Sequence, residues 1–179
     1  MKRTIYTRSD STAKQLPDGK YVAKIIDVED NPIRQYLKLD YEICEGPHEC
    51  HFLQLYEKYG QKFWPGVYYQ GYSASAERYY GDFLAALEMS NGGFVFDSEN
   101  EKSLIGKYIG LCVKNETYYN GNGEERNRVK VIYPLSADQV RAENAAKEQI
   151  TSNGDGQYLP GVLPTIPVNG AHAECSTES

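Results

Sequence analysis

Aromatic rings alternating with cations are the first chemistry this sequence offers. In residues 36–43, YLKLDYEI, Leu37, Leu39, Tyr41 and Ile43 fall on one face and Tyr36, Lys38, Asp40 and Glu42 on the other. Successive side chains of a strand point to opposite faces, so this pattern predicts a half-buried β-strand. Residues 51–58, HFLQLYEK, read as a second strand, with Leu53 and Leu55 inward and Phe52, Gln54, Tyr56 and Lys58 outward. Glu45-Gly46-Pro47-His48 supplies the turn between them. The open face of that hairpin would carry Tyr36, Lys38, Phe52, Tyr56 and Lys58. Bases stack on rings and phosphates seek Lys and Arg, so such a face suits single-stranded nucleic acid. The competing reading is an ordinary solvated strand with a few packed aromatics.

Other chemistries fit less well. Cys44, His48, Cys50 and His51 are all zinc-ligand types, but they crowd one turn and no second cluster pairs with them. Asp40 and Glu42 share a strand face and could hold Mg²⁺, although alternating charge on a solvated strand explains them more simply. No Walker A loop, nucleophile elbow or H-E-x-x-H helix occurs. The expectation is a non-catalytic protein without a metal or cofactor.

Composition narrows the class. The 179 residues suit one domain plus a tail. No apolar run approaches the ~20 residues of a membrane span, and four scattered Cys (44, 50, 112, 175) read as reduced thiols. The expected location is the cytoplasm. Tyr is abundant, 16 residues against a single Trp, and offers both a stacking face and a hydroxyl. The net charge of −6 argues against nucleic acid until the chain is divided: residues 1–135 carry −2 and residues 136–179 carry −4. Local patches, not the total, decide phosphate binding.

The elements that must position these residues follow in order. Residues 1–15 read as a flexible arm. A first strand runs from about Lys20 to Glu29, apolar on both faces through Val22, Ile26 and Val28, as in the long first strand of a small barrel. Arg34 precedes the Tyr36 strand. Residues 59–74 hold Tyr59, Phe63, Trp64, Tyr68, Tyr69 and Tyr72 without a clear period; this loop either stacks on bases or plugs a barrel end. Residues 76–89 form a helix, with Tyr80, Phe83, Leu84 and Leu87 on one face and Ser75 as N-cap. A fourth strand, about Lys107 to Tyr118, leads through Asn120-Gly121-Asn122-Gly123 into a fifth, about Asn127 to Pro134. That strand buries Val129, Val131 and Tyr133 and exposes Arg128, Lys130 and Ile132. A helix over 136–150 and a disordered tail over 151–179 close the chain.

Five strands with a helix between the third and fourth is the order of an OB-fold, a five-stranded Greek-key barrel, here over residues 16–135 of a β-rich α+β chain. OB-folds bind on strands 2–3 and on the loops joining strands 1–2 and 4–5. The candidate nucleic-acid-binding residues are therefore Arg34, Tyr36, Lys38, Phe52, Tyr56, Lys58, Trp64, Tyr118, Tyr119, Arg126, Arg128 and Lys130.

The strings LPDGKYVAKIIDVE, YLKLDYEICEGPHE and LIGKYIGLCVKNETYYNGNGEERNRV resemble a family of phage-encoded proteins from replication and recombination gene clusters. These are regarded as OB-type single-stranded-DNA-binding proteins. The likeness covers roughly Leu16 to Tyr133 and rests on an L-P-x-G-x-Y opening, an E-I-x-E-G strand end and a G-K…V-x-x-E-x-Y…G fourth strand. It implies single-stranded DNA as ligand, in the host cytoplasm, with phage or host replication and recombination proteins as further partners and self-association left open. Many bacterial single-strand-binding proteins end in an acidic tip with a terminal Phe; this chain ends AHAECSTES. A phage protein that binds and inhibits a host nuclease or defence system is the alternative.

Overall fold

The computed structural model describes residues 15–60 and 62–152. Five strands make one antiparallel sheet: β1 (Gly19–Asn31), β2 (Tyr36–Ile43), β3 (Val67–Gly71), β4 (Tyr108–Tyr119) and β5 (Glu125–Leu135). Their spatial order is β3-β2-β1-β4-β5. Three α-helices accompany them: α1 (His51–Tyr59), α2 (Glu77–Ser90) and α3 (Ala137–Ser152). Single 3₁₀ turns lie at Ala74–Ala76 and Glu101–Leu104. No helix among the described residues is long and apolar enough to cross a membrane.

The sheet is open, which corrects the OB-barrel expectation. β3 and β5 are its two edges and do not pair. β3 is only five residues long, and α2 lies against β3, β4 and β5 alike, filling the space that closure would need. Phe83, Ala86 and Leu87 of α2 are buried in the main core with Ile25, Leu39, Tyr41, Ile109 and Leu111. Tyr68 of β3 packs on Phe83 with ring centroids 6.1 Å apart. α3 covers part of the opposite face, where Val22, Ala137 and Val140 form a second small cluster. Gly110 permits that approach: a Cβ there would stand 2.7 Å from both the Leu135 carbonyl oxygen and a Val140 methyl.

Two bulges reset the side-chain parity. In β1, Ile25 pairs with Tyr41 and Asp27 with Asp40, so Ile26 is the extra residue and is exposed. Val28 then returns to the core, while Asp27 and Glu29 face outward. The strand is thus not buried on both sides along its length; only Val22, under α3, is buried on the second face. In β5, Cys112 pairs with Tyr133 and Val113 with Val131, leaving Ile132 unmatched. Tyr133, expected inside, is therefore exposed.

The third expected strand is a helix. Cys50 adopts left-handed backbone angles (φ 57°) and turns the chain back on β2. The Glu42 carboxylate accepts the N–H groups of Phe52 (3.0 Å) and Leu53 (2.6 Å), satisfying donors that an α-helix leaves free at its start. Strand pairing falls instead to β3, in the stretch expected to be a loop. The α2 N-cap is Ala76, without a side-chain cap, rather than Ser75. Expectations for residues 1–14 and 153–179 lie outside the described residues.

Candidate nucleic-acid interface

The β4–β5 ladder extends past the start of β1, since Gly19 pairs with Val113 while β4 continues to Tyr119. On one face of this extension Lys114 pairs with Lys130, Glu116 with Arg128 and Tyr118 with Arg126. The register follows from strict alternation in KNETYY and RNRVK once the bulge is passed. The Arg128 guanidinium stands 4.8 Å from the Tyr118 ring centroid, a cation–π distance. Its Nε donates to Glu116 Oε2 at 2.9 Å, and Lys130 Nζ donates to Glu116 Oε1 at 3.1 Å. These two hydrogen bonds hold the Glu116 carboxyl below the usual carboxylate range. Arg126 donates to Glu124 at 2.7 Å. Four cations thus stand against two carboxylates on an exposed strand face with a tyrosine among them.

The loop that joins the strands is ordered by one side chain. Asn120 Oδ1 accepts the N–H groups of Asn122 and Glu124, and Gly123 (φ 76°) takes the left-handed position. It fixes the ends of β4 and β5 without donating a phosphate cradle.

The face expected to bind, on β2 beside β1, has the opposite sign. Asp27, Glu29 and Asp40 meet there, with Asp27 directly across from Asp40. Lys38 Nζ lies 3.4 Å from Asp40 and 3.8 Å from Glu29, and Lys102 lies 3.2 Å from Asp27. Burial raises the Asp40 carboxyl above its ordinary value; Lys38 opposes this, and Asp27 and Glu29 add to it. Tyr36 packs edge-on against Tyr69 at 5.4 Å and its hydroxyl accepts from Asn31. This patch and the basic hairpin lie at opposite ends of the β1–β4 pairing.

The structure therefore divides the sequence-derived residues. Arg126, Arg128, Lys130 and Tyr118 share one face. Tyr119, the next residue along, points to the other, opposite Glu125. Phe52 is not a surface ring: it is buried, edge-on to Tyr41 at 5.2 Å. Tyr56 and Lys58 belong to α1, not to a sheet face, and Tyr56 packs beside Trp64 at 5.6 Å. Trp64 is held at the core margin by its indole N–H, which donates to the Tyr41 carbonyl at 2.9 Å. Gly66 makes room for this packing, since a Cβ there would stand 2.6 Å from the Phe52 ring. Arg34 lies in the β1–β2 turn, where its backbone N–H donates to Asn31. Lys114 and Glu116 escaped the sequence reading, although their alternation with Val113 and Asn115 marks them as the same face as Tyr118.

Among the described residues no group of three or more His, Cys, Asp or Glu is placed to hold a metal ion. Cys44 instead donates its thiol to the Val22 carbonyl at 3.4 Å, and burial pushes that thiol up to about 11. No family model matches the chain, and no curated protein matches it.

Proposed function

We propose that this protein binds single-stranded DNA without catalysis, on the outward face of the β4–β5 hairpin. The observation that carries this reading is Arg128 stacked over Tyr118 among Lys114, Arg126 and Lys130 on one exposed face. Single-strand binding combines a positive track for phosphates with rings for bases, and is tolerant of sequence because every base has a π-face. The resemblance of residues 16–133 to phage single-strand-binding proteins supports the same ligand, and with it a role in phage replication or recombination in the host cytoplasm. Anisotropy of a fluorescent oligo-dT at two salt concentrations tests the reading: saturable binding that weakens with salt supports it.

The acidic patch of Asp27, Glu29 and Asp40 favours a second reading, a protein partner with a basic surface. Like charge repels phosphate there, so DNA does not account for that patch. Absence of oligo-dT binding at low salt removes the DNA reading and leaves the protein partner.

A further inference from the structure

Tyr133 does not keep the parity of its own strand. Val129 and Val131 pack against the main core, and simple alternation would send Tyr133 in after them. The bulge intervenes: Val131 pairs with Val113 and Tyr133 with Cys112, leaving Ile132 unmatched. Residues directly opposite in an antiparallel ladder share a face, so Tyr133 stands on the face of Cys112. Along β4 that face continues through Lys114 and Glu116 to Tyr118. A bulge can re-aim a side chain, and this one brings a second ring onto the basic face of the hairpin.

The ring is 44% exposed, more open than Tyr118 at 36%. Its hydroxyl meets the Cys112 thiol and lies beside the Lys20 ammonium, which fixes the ring without covering it. Lys20 is itself held, since its Nζ donates to both Glu143 carboxylate oxygens at 2.7 Å. Beyond this row α3 packs over Val22 and Gly110, so the open face ends at Tyr133. The Cys112–Tyr133 pair is six ladder positions from Tyr118, about 20 Å. Lys114, Lys130 and Arg128 stand between the two rings. At ~3.4 Å per nucleotide of a stacked strand, that distance is about six nucleotides, and fewer when the strand is extended.

We propose that Tyr133 is a second stacking ring of the single-strand site, so that one strand runs from Tyr118 to Tyr133 along the α3 side of the β4–β5 ladder and ends there. Rings at both ends of a row of cations give bases two anchors and the phosphates between them a positive track. The proposal rests on the DNA reading of the hairpin and extends it.

The test uses full-length protein and oligo-dT of about 12 nucleotides, long enough to pass both rings. Tyr133→Leu is expected to weaken binding about 5- to 150-fold while leaving its salt dependence unchanged, because no phosphate contact is lost. Tyr133→Phe keeps the ring and is expected to bind as wild type does. Wild-type affinity in Tyr133→Leu, beside a loss in Tyr118→Leu, would overturn this proposal and leave the hairpin reading standing. An equal loss in Tyr133→Phe and Tyr133→Leu would also overturn it, since the ring would not be the contact. Absence of wild-type binding would remove both. Cross-linking of the unmodified protein gives a second readout, with a photoreactive halogenated uracil placed at either end of the oligonucleotide. The two ends are expected to mark Tyr118 and Tyr133 in turn; a strand that marks Tyr118 but never Tyr133 from either end would overturn the path.

Discussion

Removing Arg128 separates the two halves of the proposed binding mechanism. The guanidinium both faces Tyr118 at 4.8 Å and shares Glu116 with Lys130, so it belongs to the ring and to the cation track at once. If Arg126, Arg128 and Lys130 each contact one phosphate of a single strand, log K falls against log salt with a slope of about 2.1. Between 50 and 200 mM salt that is a loss of about 18-fold. With Arg128→Ala two contacts remain, and the loss shrinks to about 7-fold. Tyr118→Leu removes a stacking surface worth about 1–3 kcal/mol, weakening binding about 5- to 150-fold, but leaves the 18-fold salt loss intact. Oligo-dT anisotropy at the two salt concentrations reads both quantities. An 18-fold loss that persists in Arg128→Ala, and equally in Arg126→Ala and Lys130→Ala, would refute the hairpin as the phosphate track.

Glu116→Gln releases two cations from one carboxylate, so affinity for oligo-dT is expected to rise, by several-fold at low salt; unchanged or weaker binding in the same titration counts against the assignment. Phe52→Ala is expected to cost about 3–5 kcal/mol in denaturant unfolding because the ring is fully buried, while the folded fraction binds oligo-dT as wild type does. Asp40 titrates above its ordinary value, so the native state holds its proton more tightly than the unfolded chain. Its contribution is therefore least favourable at neutral pH and improves as pH falls through the raised value towards that of an ordinary carboxylate. Asp40→Asn is expected to be more stable at pH 7 and to lose that part of the slope in melting temperature measured from pH 7 to pH 4.

The strands with clean alternation were legible: β2 spans Tyr36–Ile43 with its apolar residues buried at every second position. What escaped was decided by groups distant in sequence. HFLQLYEK satisfies a strand template through Leu53 and Leu55 and a helix template through Phe52, Leu55 and Tyr56. The Glu42 carboxylate, ten residues upstream of Phe52, settles it as a helix. Closure failed to appear because α2 packs under both edges, a matter of packed volume that element order does not encode. Bulges at Ile26 and Ile132 invert parity beyond them, and no turn residue marks either site. Ring type alone does not separate surface from core: Phe52 is core and Trp64 is tied to the Tyr41 carbonyl. Net charge hid the largest feature of the candidate interface, the separation of acidic and basic groups to opposite ends of the sheet.

That separation dictates where a strand bound as proposed would run. Gly19 pairs with Val113, so Glu116 lies three positions beyond the ladder at one end and Glu29 ten positions away at the other. At about 3.3 Å per residue the two are on the order of 40 Å apart along the strands, several times the screening length of about 8 Å at physiological salt. A cation placed at Glu29 therefore does not touch DNA confined to the hairpin. Glu29→Lys is expected to leave both the affinity for short oligo-dT and its salt slope unchanged, whereas Glu116→Gln alters affinity at once. If the strand instead crosses the sheet from the hairpin over β1 and β2, Glu29→Lys removes a repulsion and adds a phosphate contact. The slope would then steepen by about 0.7, most visibly with longer oligonucleotides. The pair of substitutions measured on short and long oligo-dT thus maps the path, and a steepened slope with the short oligonucleotide would move the interface off the hairpin.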